Sequence, residues 1–247
     1  MVIEKILQVI PKIIHYCWFG RGEMPELAQK CITSWHTYMP DWKFKLWNED
    51  NFDVNTIQYT KEAYEARKYA FVSDYVRLWA LANEGGIYFD TDVEVFKSFD
   101  YLLKYDAFIG FEGSKKLPLG TCVMASIANG AWINEQLNNY NNRHFIKGDA
   151  SLDLTTNVDF ISSKMREKGF VQNGLEQDYL DLHILPVDYF CPRQTTGEYK
   201  CTENTYCDHL GIGSWTNQNG GWKESLFHIV GQKNMTRLIK LKRKIFN

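Results

Sequence analysis

The sequence predicts an α/β protein centred on a Rossmann-like sheet, and three observations carry that reading. Residues 10–47 run strand, helix, strand. A long apolar helix then ends at a Gly-Gly pair and hands over to a further strand. The composition, finally, is that of a soluble globule: 45% of the 247 residues are hydrophobic and 23% charged, which excludes wholesale disorder.

The elements follow in order. Residues 10–19 (IPKIIHYCWF) lead from Pro11 into a β-rich apolar run, a first strand. Residues 24–39 place Pro25 at the start of a helix whose Leu27, Cys31, Ile32, Trp35 and Met39 recur at helical spacing. Residues 42–47 (WKFKLW) alternate apolar and basic, as a half-buried strand does. Residues 62–84 read as one helix rich in Ala and Leu, stopped by Gly85 and Gly86. Residues 87–96 (IYFDTDVEVF) have strand composition despite Asp90, Asp92 and Glu94. Beyond them come a strand near 107–111, a mixed segment at 118–127, helices near 131–141 and 157–168, and a strand near 183–187. Pro192 then opens a loop-rich stretch, 193–223.

Composition narrows the function classes. A net charge of −2 gives the whole molecule no basic field for nucleic acid. Aromatic residues reach 15%, with 8 Trp and 14 Tyr; most must be core, but flat amphipathic side chains at that density suit sugar or base surfaces. Six cysteines (17, 31, 122, 191, 201 and 207) lack the CxxC pairs of a zinc site. Even the nearest in sequence, Cys191, Cys201 and Cys207, read as thiols in a reducing cytosol. No apolar run reaches membrane-spanning length, and Glu4, Lys5 and Gln8 interrupt the start, which reads as neither signal peptide nor anchor.

Chemistry concentrates around Asp90 and Asp92. Two apart on a strand, they present two carboxylates to one place, and like charges so placed call for a positive partner. A divalent cation that also binds substrate phosphate oxygens is the natural one; an isolated DxD is more often a hydrated strand end. The preceding helix shifts the balance. Apolar for much of its length, it holds Asp74 and Arg77, which with Arg67 lie at i, i+7 and i+10 and form a polar stripe along a cleft.

The stretch AFVSDYVRLWALANEGGIYFDTDVEVF resembles the core motif of glycosyltransferase family 32, a family related to the large clostridial glucosylating toxins. The opening IPKIIHYCWFG resembles that family's first strand, and HLGIGSW, residues 209–215, its C-terminal motif. The resemblance implies a GT-A-type α/β fold: a mixed Rossmann-like sheet flanked by helices. It also implies retaining transfer of a hexose from a nucleotide-sugar to an acceptor hydroxyl, assisted by Mn²⁺ or Mg²⁺. Carried over by position, Asp92 is the principal metal carboxylate, and Asp90 serves the metal through water or serves the ribose. Asp74 and Arg77 hold the donor sugar's hydroxyls, Tyr88 lies near the nucleotide, and Trp18 stacks on the base. His15 contacts the donor or only orients its strand end. His209 is the third metal-side ligand, and Ser214 and Trp215 close over the diphosphate, with Gly211 and Gly213 freeing that loop. Arg77 and Ser214 are also the implied donors to the leaving group.

No nucleophile for retention stands out. Glu176, Gln177 and Asp178 read as a helix surface, and same-face attack is the preferred route. Where the family has a Thr-Gly-Pro turn, this chain has Thr156, Asn157 and Val158, which leaves the donor open: UDP-sugars are favoured, with GDP-mannose not separated from them.

The predicted catalytic domain is 1–232. The tail, 233–247, holds six Lys/Arg and no acid, leaving 22 basic residues against 30 acidic ones elsewhere. Its Met235, Leu238, Ile239, Leu241, Ile245 and Phe246 make it a basic amphipathic helix of the kind that binds anionic membrane surfaces, or a solvated helix packed on its own domain. The expected setting is surface polysaccharide synthesis, with a glycan or lipid-linked saccharide acceptor, on the cytoplasmic side and peripheral to the inner face of a bacterial membrane. Two other classes compete. A DxD-type phosphohydrolase expects Thr or Val where Glu94 stands, and a non-catalytic carbohydrate-binding protein has no use for Asp74 and Arg77 behind the acidic pair.

Overall fold

A computed structural model describes residues 9–113, 117–192 and 199–211 of the chain. All but Gly211 belong to one compact unit, Met1–Leu210. The expectations for Gly213, Ser214, Trp215, the boundary at 232 and the basic tail lie outside the described residues.

The chain opens as expected: β1 (Ile13–Cys17), α1 (Glu26–Tyr38) and β2 (Lys43–Trp47), with β1 and β2 parallel. α2 (Gln58–Glu65) and α3 (Tyr69–Glu84) follow, then β3 (Gly86–Phe89), β4 (Val93–Val95), β5 (Ala107–Phe111) and β6 (Leu119–Ser126). α4 (Ala131–Asn138), α5 (Asn157–Glu167), β7 (Gln177–Tyr179), β8 (Leu182–Leu185) and β9 (Cys207–His209) complete the order. Seven strands form one mixed sheet, β2-β1-β3-β6-β5-β8-β7, with parallel pairs β1/β2, β1/β3 and β5/β8 and antiparallel pairs elsewhere. Side chains alternate across it. Tyr88, Ile109 and Met124 join one core with residues of α2 to α5, while Ile87, Phe89 and Val123 join another with Trp35 and Met39. No helix among the described residues is long and apolar enough to cross a membrane.

Three predicted elements differ. The helix expected over 62–84 is two helices, because α2 ends in a Schellman motif: the Lys68 amide donates to the Ala63 carbonyl (2.8 Å) and the Arg67 amide to Tyr64 (2.9 Å), with Arg67 left-handed at φ 56°. Arg67 therefore leaves the stripe with Asp74 and Arg77 and is exposed. The strand expected over 87–96 is interrupted by a turn in which the Val93 amide donates to the Asp90 carbonyl (3.1 Å). β4 beyond it leaves the main sheet and pairs antiparallel with β9, Val93 opposite His209. Gln177 and Asp178 lie on the strand β7, not a helix, and Glu176 and Asp178 both bond His183, at 2.8 and 2.6 Å.

α3 does stop where the glycines stand. Gly85 is left-handed at φ 65° and Gly86 has φ 110°; a Cβ on Gly86 would meet the Ile13 carbonyl oxygen at 2.7 Å. That close approach lets β3 enter the sheet beside β1.

Candidate metal and donor site

The site is built where β3 ends. The Asp90 amide still donates to the Cys122 carbonyl of β6 (2.9 Å), so the ladder fixes Asp90 as the last residue held by the sheet. The turn then carries Asp92 around, and the Asp92 carbonyl accepts from the Leu210 amide (3.0 Å), tying it to the end of β9. Asp90, Asp92 and His209 thus come together, with one ligand atom from each inside a 4.8 Å set. The convergence predicted for the two aspartates is present, but a turn and a second strand produce it, not alternation along one strand.

Behind them lies an ion-paired network. Arg77, on α3, is 5% exposed. Its Nη2 pairs with Asp74 Oδ1 (2.9 Å) and its Nη1 with Asp90 Oδ1 (3.1 Å), and Nη1 also donates to the Thr121 carbonyl (2.7 Å). Its guanidinium lies 4.5 Å above the Tyr88 ring, and the Tyr88 hydroxyl donates to Asp90 Oδ1 (3.0 Å). Burial pushes the Asp74 carboxyl up to about 6 against the pull of Arg77. Arg77 therefore holds both carboxylates in place, anchored in turn by the Thr121 carbonyl. The Oδ1 of Asp90 is thus taken up by donors of the protein itself.

His209 Nε2 lies 3.4 Å from Asp92 Oδ1, and its Nδ1 lies 3.8 Å from Glu112 Oε1. Burial alone would disfavour the imidazolium, but the neighbouring Cys122 sulfur and the Asp92 carboxylate together reverse that and raise the His209 pKa. Two carboxylates and an imidazole, gathered at one rim with a third carboxylate near, form a donor set that fits Mn²⁺ or Mg²⁺. A cation bound there would take over the role the His209 proton plays beside Asp92.

The remaining predicted residues divide. Tyr88 is buried under Arg77 and reaches the site through Asp90. Trp18 is half-buried at the end of β1 and donates Nε1 to the Gly22 carbonyl (2.7 Å). His15 is fully buried; Trp47 Nε1 donates to its Nδ1 (3.1 Å), so its Nε2 carries the proton and donates to Gly85 (2.8 Å). Burial lowers its pKa, keeping it neutral. Of its two predicted roles, orienting the strand end is the one this burial permits. Sequence reasoning did not assign Glu112 or Asn157 to the site. Asn157 Nδ2 donates to the Asp74 carbonyl (3.2 Å), and its Oδ1 accepts from Tyr140 (3.0 Å). Its signal was present, as the departure from Thr-Gly-Pro; Glu112 had none, since its neighbour is distant in sequence.

Residues 25–109 match the family described as the glycosyltransferase sugar-binding region containing the DXD motif, and this stretch includes Asp74, Arg77, Asp90 and Asp92. Over 107 residues the chain is 35% identical to inositol phosphoceramide mannosyltransferase 3 of Schizosaccharomyces pombe, covering 40% of this chain and 29% of that protein. Over 130 residues it is 32% identical to the mannosyl phosphorylinositol ceramide synthase SUR1 of Saccharomyces cerevisiae, covering 49% and 32%. The chain thus spans about a third of the length of the curated relatives it matches. Among solved structures, the PaToxG glycosyltransferase aligns at 20% identity and a TM-score of 0.49, covering 66% of this chain and 70% of that one. The matched stretch thus supplies both aspartates of the site and the Asp74–Arg77 pair behind them, while His209 lies outside it.

Proposed function

We propose that this chain is a retaining, metal-dependent glycosyltransferase that moves a hexose from a nucleotide-sugar to a hydroxyl of a glycan or lipid-linked saccharide. The observation that carries the reading is the gathering of Asp90, Asp92 and His209 in front of the buried Asp74–Arg77 pair, three of these acids and the arginine lying within the matched DXD region. Asp92 and His209 would hold Mn²⁺ or Mg²⁺ directly, and Asp90 through water. Such a cation, when bound, supplies Lewis-acid stabilisation of the departing diphosphate.

The chain's own residues do the rest. Asp74, held by Arg77, accepts from a hydroxyl of the donor sugar and fixes the ring's orientation. Arg77 and Tyr88 lock Asp90, so the acidic rim needs no rearrangement as charge develops on the leaving group. Trp18 offers its ring to the base. Same-face attack of the acceptor hydroxyl remains the route that needs no further carboxylate. The phosphohydrolase alternative requires a nucleophilic first aspartate, and the Asp90 Oδ1 bonds to Arg77 and Tyr88 oppose that role. The mannose in the relatives' names supports mannose as the hexose moved, so GDP-mannose stands beside the UDP-sugars as a donor. Those names also favour a lipid-linked acceptor, which fits surface polysaccharide assembly at a membrane face, where the 233–247 tail would bind anionic lipid.

A thermal-shift screen of UDP- and GDP-sugars with and without Mn²⁺ tests this. One nucleotide-sugar should raise the melting temperature only when metal is present, and Asp92→Ala should abolish that shift. A shift of equal size in the Asp92→Ala protein would remove Asp92 from the metal role.

A further inference from the structure

His209 belongs to two clusters at once. On one side are Asp90 and Asp92; on the other are Cys122 of β6 and Cys191, whose sulfurs, with a His209 nitrogen, also form a set within 4.8 Å. The two sulfurs are 3.7 Å apart. Two thiolates each about 2.3 Å from one tetrahedral ion are separated by about 3.75 Å, so the sulfurs already stand at the spacing such an ion imposes. Cys122 and Cys191 are 2% and 4% exposed, while the His209 side chain is 21% exposed and gives the way in. Cys207 lies deeper, its thiol turned to the Phe190 carbonyl (3.6 Å).

We propose that Cys122, Cys191 and His209 form a second metal site, selective for a thiophilic ion such as Zn²⁺ or Cd²⁺, and that its occupation competes with the carboxylate site for His209. The chemistry of the two donor sets divides the ions. Asp90, Asp92 and His209 offer oxygen and nitrogen, which suit Mn²⁺ and Mg²⁺; two thiols and an imidazole suit Zn²⁺ and Cd²⁺. Binding displaces the two thiol protons to solvent and leaves a two-sulfur, one-nitrogen site with a fourth position open. One imidazole cannot serve both sets, so a soft ion bound at the sulfurs draws His209 away from Asp92. The two sites are then alternatives that share a residue.

The test needs no transfer activity, and its outcome is separate from that of the glycosyltransferase reading. In a Cys201→Ser background, which removes the exposed thiol, and with a non-thiol reductant, Cd²⁺ alone is titrated and the thiolate-to-cadmium charge-transfer absorption followed. One equivalent should saturate the band. Cys191→Ser should lose at least half of the band's intensity and weaken Cd²⁺ binding at least tenfold, while Cys31→Ser, a buried thiol outside the cluster, should change neither. Cys122→Ala provides a second variant should Cys191→Ser fold poorly, with the same expectation. A parallel titration should find Mn²⁺ binding weakened by one equivalent of Zn²⁺ at least tenfold more in the parent than in Cys191→Ser, where Zn²⁺ can compete only at the carboxylate site itself. Absence of the band, or a band of equal intensity and affinity in both cluster variants, overturns the site. Mn²⁺ binding that is indifferent to Zn²⁺, or weakened by it equally in both proteins, overturns the competition.

Discussion

Arg77 is the residue on which the arrangement of the site turns. A buried guanidinium between two carboxylates satisfies both only because its fork presents separate nitrogens to each, Nη2 to Asp74 and Nη1 to Asp90. A lysine carries the same charge on one atom and cannot reproduce both contacts or the stacking on Tyr88. Arg77→Met, which keeps the bulk and removes the charge, leaves the buried Asp74 and the partly buried Asp90 uncompensated and should cost about 3–5 kcal/mol of stability. Arg77→Lys should lose roughly half as much by the same reasoning. Urea unfolding without added metal measures both, and a lysine variant as stable as the parent would show that the carboxylates do not depend on the fork. The sequence made Asp74 and Arg77 legible because both interrupt an otherwise apolar helix face. The partners Thr121 and Asn157 were not legible as such, because a backbone carbonyl leaves no mark in the sequence and an asparagine beside a helix start reads first as a cap.

At the scale of elements, the most informative join is between α2 and the loop that follows α4. Glu62 on α2 accepts from the amides of Phe145 (2.8 Å) and Ile146 (2.9 Å), from Gln58 Nε2 (2.9 Å), and bonds His144 Nδ1 (3.0 Å). Burial would raise its carboxyl, but these bonds outweigh burial and hold it down at about 2. A carboxylate depressed on folding stabilises above its unfolded pKa and loses that contribution as pH falls toward its folded value. Glu62→Gln should therefore cost about 3 kcal/mol at pH 7, and about 2 kcal/mol less than that at pH 3. Unfolding at the two pH values checks this; an equal cost at both would assign the loss to packing, not charge. Glu62 also shows where local reading ran out. The helix 62–84 looked continuous because its break is made by Arg67 in a conformation usually left to glycine, so the sequence carried no stop signal there. Gly85 and Gly86 announced the second stop plainly. The turn after Asp90 was hidden differently, since Asp90, Thr91 and Asp92 leave the alternation of the run unbroken.

For the molecule as a whole, what local patterns encode was readable and what distant pairing creates was not. Strand β1, helix α1 and strand β2 fall within the segments predicted for them, and their parallel order follows from the crossover helix. The pairing of β4 with β9 joins segments far apart in sequence, and only the family resemblance brought His209 to the aspartates. That pairing also makes a prediction. β9 has three residues in a two-stranded sheet, and so small a sheet opens easily unless something else joins its strands. A cation held by Asp92 before β4 and His209 on β9 is such a joint: any opening that parts the strands must release it. At a metal concentration of about 100 times the dissociation constant, that opening costs about 2.7 kcal/mol more, and exchange through it slows about 100-fold. Hydrogen exchange with saturating Mn²⁺ should therefore slow at the Leu210 amide, bonded to Asp92, and at the Phe96 amide, bonded to Tyr206. Amides of β7, at the far edge of the main sheet, open by fraying that leaves the site intact and should exchange unchanged. His209→Ala should remove the slowing at Leu210 while leaving β7 as it was. If Mn²⁺ slowed Leu210 equally in that variant, the metal would not be joining the two strands, and the site would rest on the aspartates alone.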